Sequence, residues 1–172
     1  ANLADTLDIV NKRSHNQTAE EILRVMGVQA KGEGAGRAAG REVVKSFLTR
    51  TGIEPSCYNV ADGSGLSHDN RMCPEALTHL LVAMAGSEEA AIFKESLARP
   101  GEDGTLHARL DSAARYGRIA AKTGHIRGVN TLSGYIDTTK GSYVFSVLTN
   151  GKTQSDNGIF DAITIQIASA LA

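Results

Sequence analysis

Tryptophan is absent from this sequence, and aromatic residues make up only 5% of it. A stacking platform for single-stranded nucleic acid is therefore not expected. A surplus of one charge is missing too: Lys plus Arg is 18 and Asp plus Glu is 19, for a net charge of -1, where a nucleic-acid binder carries a basic excess. Cysteine occurs twice, at Cys57 and Cys73, which is too few for a disulfide scaffold. An oxidising compartment permits a bridge, but the reading adopted is two separate buried thiols, since cysteine packs as a small apolar residue. The histidines, His15, His68, His79, His107 and His125, form no i, i+4 pair and no HExxH, so neither a metal site nor a cofactor is expected. No run reaches the roughly 18 apolar residues of a membrane span. The opening Ala1-Asn2-Leu3-Ala4-Asp5 has neither a basic nor an apolar leader region, so any signal peptide is expected to lie outside this sequence.

What is present reads as one folded domain, since 172 residues match the usual domain size of about 150. Leu3, Leu7 and Val10 have helical spacing within a first helix from Leu3 to Lys12. Thr18 followed by Glu21 reads as a capping box that opens a second helix, with Gly27 as its end. The stretch from Lys31 to Gly40 holds Gly32, Gly34, Gly36 and Gly40. It lacks both the GxGxxG spacing and the Lys-Ser/Thr pair of a phosphate loop. It reads as a loop opening a helix that buries Val43, Val44, Phe47 and Leu48 and ends at Thr51-Gly52. A short strand is predicted over Cys57 to Ala61, then a tight turn at Asp62 to Ser67. Pro74 opens a helix with an apolar face of Leu77, Leu80, Leu81 and Met84, and Glu88 to Leu97 reads as another.

After Tyr116 the pattern becomes β. Arg118 to Lys122 runs into Thr123-Gly124, and Leu132 to Asp137 pairs with Ser142 to Thr149 across a turn at Thr138 to Gly141. A last helix is predicted from Ser155 or Asp156, with Phe160, Ile163, Ile167 and Leu171 on one face. The fold class expected is α/β in the α+β sense: an antiparallel sheet flanked by helices.

Ser14-His15-Asn16 is an S-x-N on a loop beside a helix, and Lys122-Thr123-Gly124 is a K-T-G on a strand. Taken singly, Ser14 and Asn16 read as polar loop groups near a cap, and Lys122 as a solvated edge lysine. In this order they match two of the three motifs of serine penicillin-recognising enzymes. Asp62-Gly63-Ser64-Gly65-Leu66-Ser67, Gly101-Glu102-Asp103-Gly104-Thr105-Leu106 and Leu132-Ser133-Gly134-Tyr135-Ile136 extend the match. Together these segments resemble the D-alanyl-D-alanine carboxypeptidase/endopeptidase family of the DacB type, the class C low-molecular-weight penicillin-binding proteins of peptidase family S13. The resemblance implies a transpeptidase/β-lactamase-like fold and a hydrolase that cuts peptidoglycan stem peptides through an acyl-enzyme, in the periplasm or outside the cell. It implies inhibition by β-lactams.

The family's S-x-x-K nucleophile motif has no match here. Thr149-Asn150-Gly151-Lys152 is the only near approach, and its Asn-Gly signals a turn rather than the start of a helix. Residues 1–172 are therefore expected to be the C-terminal part of such an enzyme, with the S-x-x-K segment as a partner outside them. The resemblance assigns Ser14, Asn16 and Lys122 to catalysis and Thr123, Gly124 and His125 to substrate binding. Ser14 would relay a proton to the leaving amine. Asn16 would hold the substrate amide and the S-x-x-K lysine, and Lys122 would favour the substrate carboxylate and the proton relay. Thr123 adds a hydroxyl for that carboxylate, Gly124 lets substrate approach as an added strand, and the backbone N–H of His125 serves the oxyanion. His125 departs from the family's usual Ser or Thr, and its ring either contacts substrate or faces solvent. Asp62 and Asp103 are assigned to turns. A β-lactamase or esterase on the same scaffold, or a non-catalytic module binding peptidoglycan or a partner, are the alternatives.

Overall fold

Antiparallel pairing organises the second half of the chain. The computed structural model describes residues 2–152 and 157–172. Three strands, β3 (Arg118–Ile126), β4 (Gly128–Thr138) and β5 (Gly141–Lys152), form a sheet in the order β3-β4-β5. A short ladder pairs β1 (Tyr58–Asn59) with β2 (Arg71–Met72). The helices are α1 (Leu3–Lys12), α2 (Asn16–Lys31), α3 (Arg37–Arg50), α4 (Pro74–Ala85), α5 (Ala90–Glu95) and α6 (Asn157–Leu171). Two units divide the chain: residues 1–14 with 84–172, and residues 15–83.

In the first unit, β4 and β5 meet as predicted, Asp137 facing Ser142 and Thr138 facing Gly141. The strands run further than the sequence pattern showed. β3 continues through Gly124 to Ile126, and the turn into β4 needs Gly128 at φ 78°, a conformation that costs glycine little. Leu106, Leu132, Ile136, Phe145 and Phe160 form the core over this sheet. α6 buries Phe160, Thr164 and Ala168, an i, i+4 stripe. Ile163, expected on the buried face, is 39% exposed, because the stripe lies one position away. The start predicted at Ser155 or Asp156 falls outside the described residues. α1 matches its predicted limits: Asn2 caps it by accepting from the Asp5 N–H at 2.9 Å.

The second unit corrects three expectations. α2 starts at Asn16, not after Thr18, because His15 takes the N-cap and its ring nitrogen accepts from the Thr18 N–H. It passes through Gly27 to Lys31 and stops at Gly32, φ 87°. Gly27 is a packing glycine, since a Cβ there would strike the Gly36 carbonyl and lie 2.7 Å from the Gly40 nitrogen. On α3 the buried residues are Ala39, Gly40 and Leu48, while Phe47 is exposed. The third concerns the cysteines. Both are unbridged, as expected, but they are half-buried rather than buried. Nor are they separate: the Cys73 N–H donates to the Cys57 carbonyl at 2.8 Å.

The α2–α3 contact has a measurable consequence. A Cβ on Gly40 would meet the backbone carbonyl of Leu23, which cannot move without shifting α2. Gly40→Ala is expected to destabilise the protein by about 1–3 kcal/mol, read as a lower urea midpoint. Gly36→Ala, with open space around the added methyl, should leave that midpoint nearly unchanged.

Candidate active site

Ser14 occupies the corner between α1 and α2 in a left-handed conformation, φ 53°. A residue with a side chain pays of order 1 kcal/mol for this. Its Oγ accepts a hydrogen bond from Lys122 Nζ at 2.8 Å, across 108 positions of sequence. The ammonium also donates to the Thr123 carbonyl. No carboxylate among the described residues pairs with Lys122. Burial without a counter-charge lowers its pKa from 10.5 to about 8, so the amine can gain or lose a proton near neutral pH.

The corner is braced from the segment Asp103-Gly104-Thr105. Asp103 takes an ion pair from Lys12 at 3.0 Å and accepts from the Arg99 N–H at 3.0 Å. Burial pulls the Lys12 pKa down, but Asp103 and then Asp8 outweigh it, and the net shift is upward. Gly104, at φ 57°, lies so close to α1 that a Cβ would be 2.8 Å from the Lys12 carbonyl. Next to it, Thr105 Oγ1 accepts from Thr123 Oγ1 at 2.8 Å. One turn thus fixes both the end of α1, two residues before Ser14, and the strand that carries Lys122.

β3 is an edge strand. Its outer side is met at Ala121, which exchanges both backbone hydrogen bonds with Ala98, at 2.9 and 3.1 Å. Backbone groups alternate with a period of two, so the N–H groups of Thr123 and His125 face that same edge, beyond the Ala98 bridge. Gly124 is needed for a reason internal to the sheet, because a Cβ there would collide with Thr131 Oγ1 on β4. His125 Nδ1 lies 2.6 Å from Asn130 Oδ1, so that nitrogen carries the hydrogen. A cavity of about 250 Å³ follows, lined by Thr123, Gly124, His125, Asn130, Thr105 and Arg109 among others. Arg109 is anchored by Asp161 at 2.8 Å. A wider open groove of about 550 Å³, in the second unit, is lined by Arg41, Lys45 and Arg71 and contains none of the motif residues.

Of the residues singled out in the sequence, Ser14, Lys122, Thr123, Gly124 and His125 lie in the first unit, and the bonds above join Ser14 to Lys122. Asn16 opens α2 in the second unit, with its side chain exposed. Asp62 is a turn residue: its carboxylate accepts from the N–H groups of Gly65 and Ser67 and from the Asn70 amide. Burial raises its pKa, but these bonds, Asn70 first, outweigh that and hold it low. Thr149 lies on β5, so the near match to S-x-x-K is in a strand. Sequence reasoning did not single out Thr105, Arg109 and Asn130 as site residues. Thr105 at least stood inside a recognised segment.

A K-T-G edge strand with its lysine on a serine from a helical corner, over an antiparallel sheet backed by helices, defines the penicillin-binding and β-lactamase-like class of proteins. Comparison with known proteins narrows this. The family model described as D-Ala-D-Ala carboxypeptidase 3 (S13) matches residues 1–171, and the chain belongs to that family. A D-alanyl-D-alanine carboxypeptidase of Actinomadura sp. is 32% identical over 98% of the chain, which spans 32% of that relative. The carboxypeptidase DacB of Haemophilus influenzae is 32% identical over 90% of the chain and is covered over 33% of its length. The chain thus spans about a third of the curated relatives it matches. Penicillin binding protein 4 (dacB) of H. influenzae, solved with a β-lactam, superposes with a TM-score of 0.80 at 28% identity, over 97% of this chain and 40% of that one. A β-lactamase from Sphaerobacter thermophilus, 18% identical, shares the fold at a TM-score of 0.70, over 98% of this chain and 62% of that one.

Proposed function

We propose that this chain carries the proton-relay and carboxylate-binding part of a serine-type D-Ala-D-Ala carboxypeptidase/endopeptidase. The enzyme acts on peptidoglycan stem peptides through an acyl-enzyme and is inhibited by penicillin. It works in the periplasm or outside the cell, and no helix among the described residues is long and apolar enough to cross a membrane. The Lys122–Ser14 hydrogen bond carries this reading. An S-x-x-K serine on a segment outside residues 1–172 attacks the D-Ala-D-Ala carbonyl. Stem peptide lies along the outer edge of β3 as an added strand, and the N–H of His125 donates to the oxyanion together with that of the nucleophile. Asn16 holds the substrate amide. As the C–N bond breaks, Ser14 gives its proton to the departing D-alanine nitrogen and is resupplied by Lys122. The substrate's terminal carboxylate sits against Thr123, whose hydroxyl turns away from Thr105 to donate to it.

The test is D-alanine release from a stem pentapeptide by the complete enzyme. Ser14→Ala is expected to lower kcat about 10²-fold or more with little change in KM, because the proton is needed only as the bond breaks. A kcat equal to that of the parent would remove Ser14 from the reaction.

A further inference from the structure

We propose that Cys57 and Cys73 are a disulfide site, closed across the β1–β2 ladder when the protein meets a disulfide oxidant. The register carries the inference. Tyr58 faces Met72 and Asn59 faces Arg71 in antiparallel pairing, so the next pair outward is Cys57 opposite Cys73. The Cys73 N–H to Cys57 carbonyl bond carries one side of the ladder on to that pair, while the Cys57 N–H donates to the Glu54 carbonyl at the end of the turn Pro55–Cys57. Residues directly opposite in an antiparallel ladder have Cα atoms about 4.5–5.5 Å apart. That lies inside the span of about 4.4–6.8 Å which a disulfide bridges. Opposite residues also project to the same face of the ladder, and here both side chains pack against one cluster of Leu48, Ile53 and Ala76. Neither thiol is fully buried, so an oxidant can reach the pair. They are also the only cysteines in the sequence.

The chemistry balances as a two-electron exchange. One thiolate attacks a sulfur of the oxidant, a small-molecule or protein disulfide, and releases its first thiol. The second thiolate then displaces the oxidant from the mixed disulfide. Two S–H bonds are lost and one S–S bond is formed, while the oxidant's disulfide takes up two electrons and two protons to become two thiols. The neighbouring Cys73 thiol, then burial, then Glu75 and Glu54 push the Cys57 thiol upward. Cys57 therefore rests as a thiol at neutral pH until an oxidant arrives.

The bridge would close the loop that contains the Asp62–Ser67 turn. That turn is itself held on α2: Glu20 Oε2 accepts from the N–H groups of Gly63 and Ser64 at 2.8 and 3.1 Å, and Arg37 pairs with Glu20 Oε1 at 2.7 Å. Closing the disulfide pins the ends of a segment whose middle is already fixed. None of this depends on the catalytic reading. The complete protein should be incubated with oxidised glutathione, quenched with an alkylating agent under denaturing conditions, and mapped by peptide mass. The expected result is one cross-linked species joining the Cys57 and Cys73 peptides, lighter than the two free peptides by two hydrogens. In Cys73→Ser, Cys57 should appear only alkylated or as a mixed disulfide with glutathione. Recovery of both cysteines alkylated, or each joined only to glutathione, in the oxidised parent would overturn the proposal.

Discussion

Replacing Lys122 with Ala in the complete enzyme is expected to slow acylation by penicillin about 10²-fold or more. On the function proposed above the side chain has two tasks, and both are lost. It is the only described group hydrogen-bonded to Ser14 Oγ, and a positioned proton-transfer group contributes about 10²–10⁴-fold. It is also the cation nearest Thr123 in sequence, and a charge-assisted bond to a carboxylate adds about 1.5–3 kcal/mol. Lys122→Arg should not restore the rate, because guanidinium cannot give up its proton near neutral pH. Acylation within twofold of the parent would remove Lys122 from the site.

The same residue should weigh against stability. Its pKa is about 8 folded, against 10.5 as the ordinary value. Between those values the unfolded chain binds more protons than the folded one, so stability rises with pH from about 8 to about 10.5. Below pH 8 the full cost of burying the ammonium is present. Lys122→Met, which retains the apolar stem, is therefore expected to be inactive yet more stable than the parent at pH 7. A gain of about 1–2 kcal/mol follows once the lost bond to Ser14 is subtracted. The gain should shrink as the pH approaches 10.5. Denaturant midpoints of both proteins at the two pH values measure it, and a Met variant less stable at pH 7 than at high pH, relative to the parent, contradicts the burial argument.

A fluorescent penicillin should leave residues 1–172 unlabelled when they are presented without the rest of the enzyme. Acylation needs a serine with a lysine one helical turn away. No Ser in the sequence is followed three residues later by Lys, and the near match through Thr149 lies on β5. Ser14 does face an amine, but that amine comes from β3 and not from one turn along the same helix. In the complete enzyme the label should map to a serine outside these residues. A stable fluorescent band at 18.1 kDa, mapped to Ser14 or Thr149, would require a different active-site arrangement, whereas an unlabelled complete enzyme would favour a non-catalytic binding module.

Elements governed by local chemistry were legible in the sequence. α1 has its periodic apolar residues, and the β4–β5 hairpin has alternating runs around a glycine-ended turn. Both appear with the expected pairing or limits. Elements decided by neighbours were not. Gly27 looked like a helix end because glycine usually is one, yet only the approach of α3 explains its place inside α2. Ile163 and Phe47 are apolar and at helical spacing, but the buried stripes on their helices centre on smaller residues. β2 is two residues long, Arg71–Met72, too short to show any period.

The site divides in the same way. Ser14, Lys122 and Thr123 stand in short ordered motifs and could be picked out. Thr105 reaches Thr123 through folding alone. Arg109 needs Asp161, and Asn130 needs the hairpin that brings it opposite His125. None of these pairings has a local signature, because the partners meet only through tertiary structure.

The Ser14–Lys122 bond also dates the site during synthesis. Its two ends are made 108 residues apart, and at about 5–20 residues per second the ribosome needs roughly 5–20 s to pass from one to the other. Until β3 has been made and paired with β4, Ser14 has no amine beside it. On the function proposed above, the relay therefore cannot exist on a short nascent chain, and the site stays inert until most of this sequence has been translated and folded.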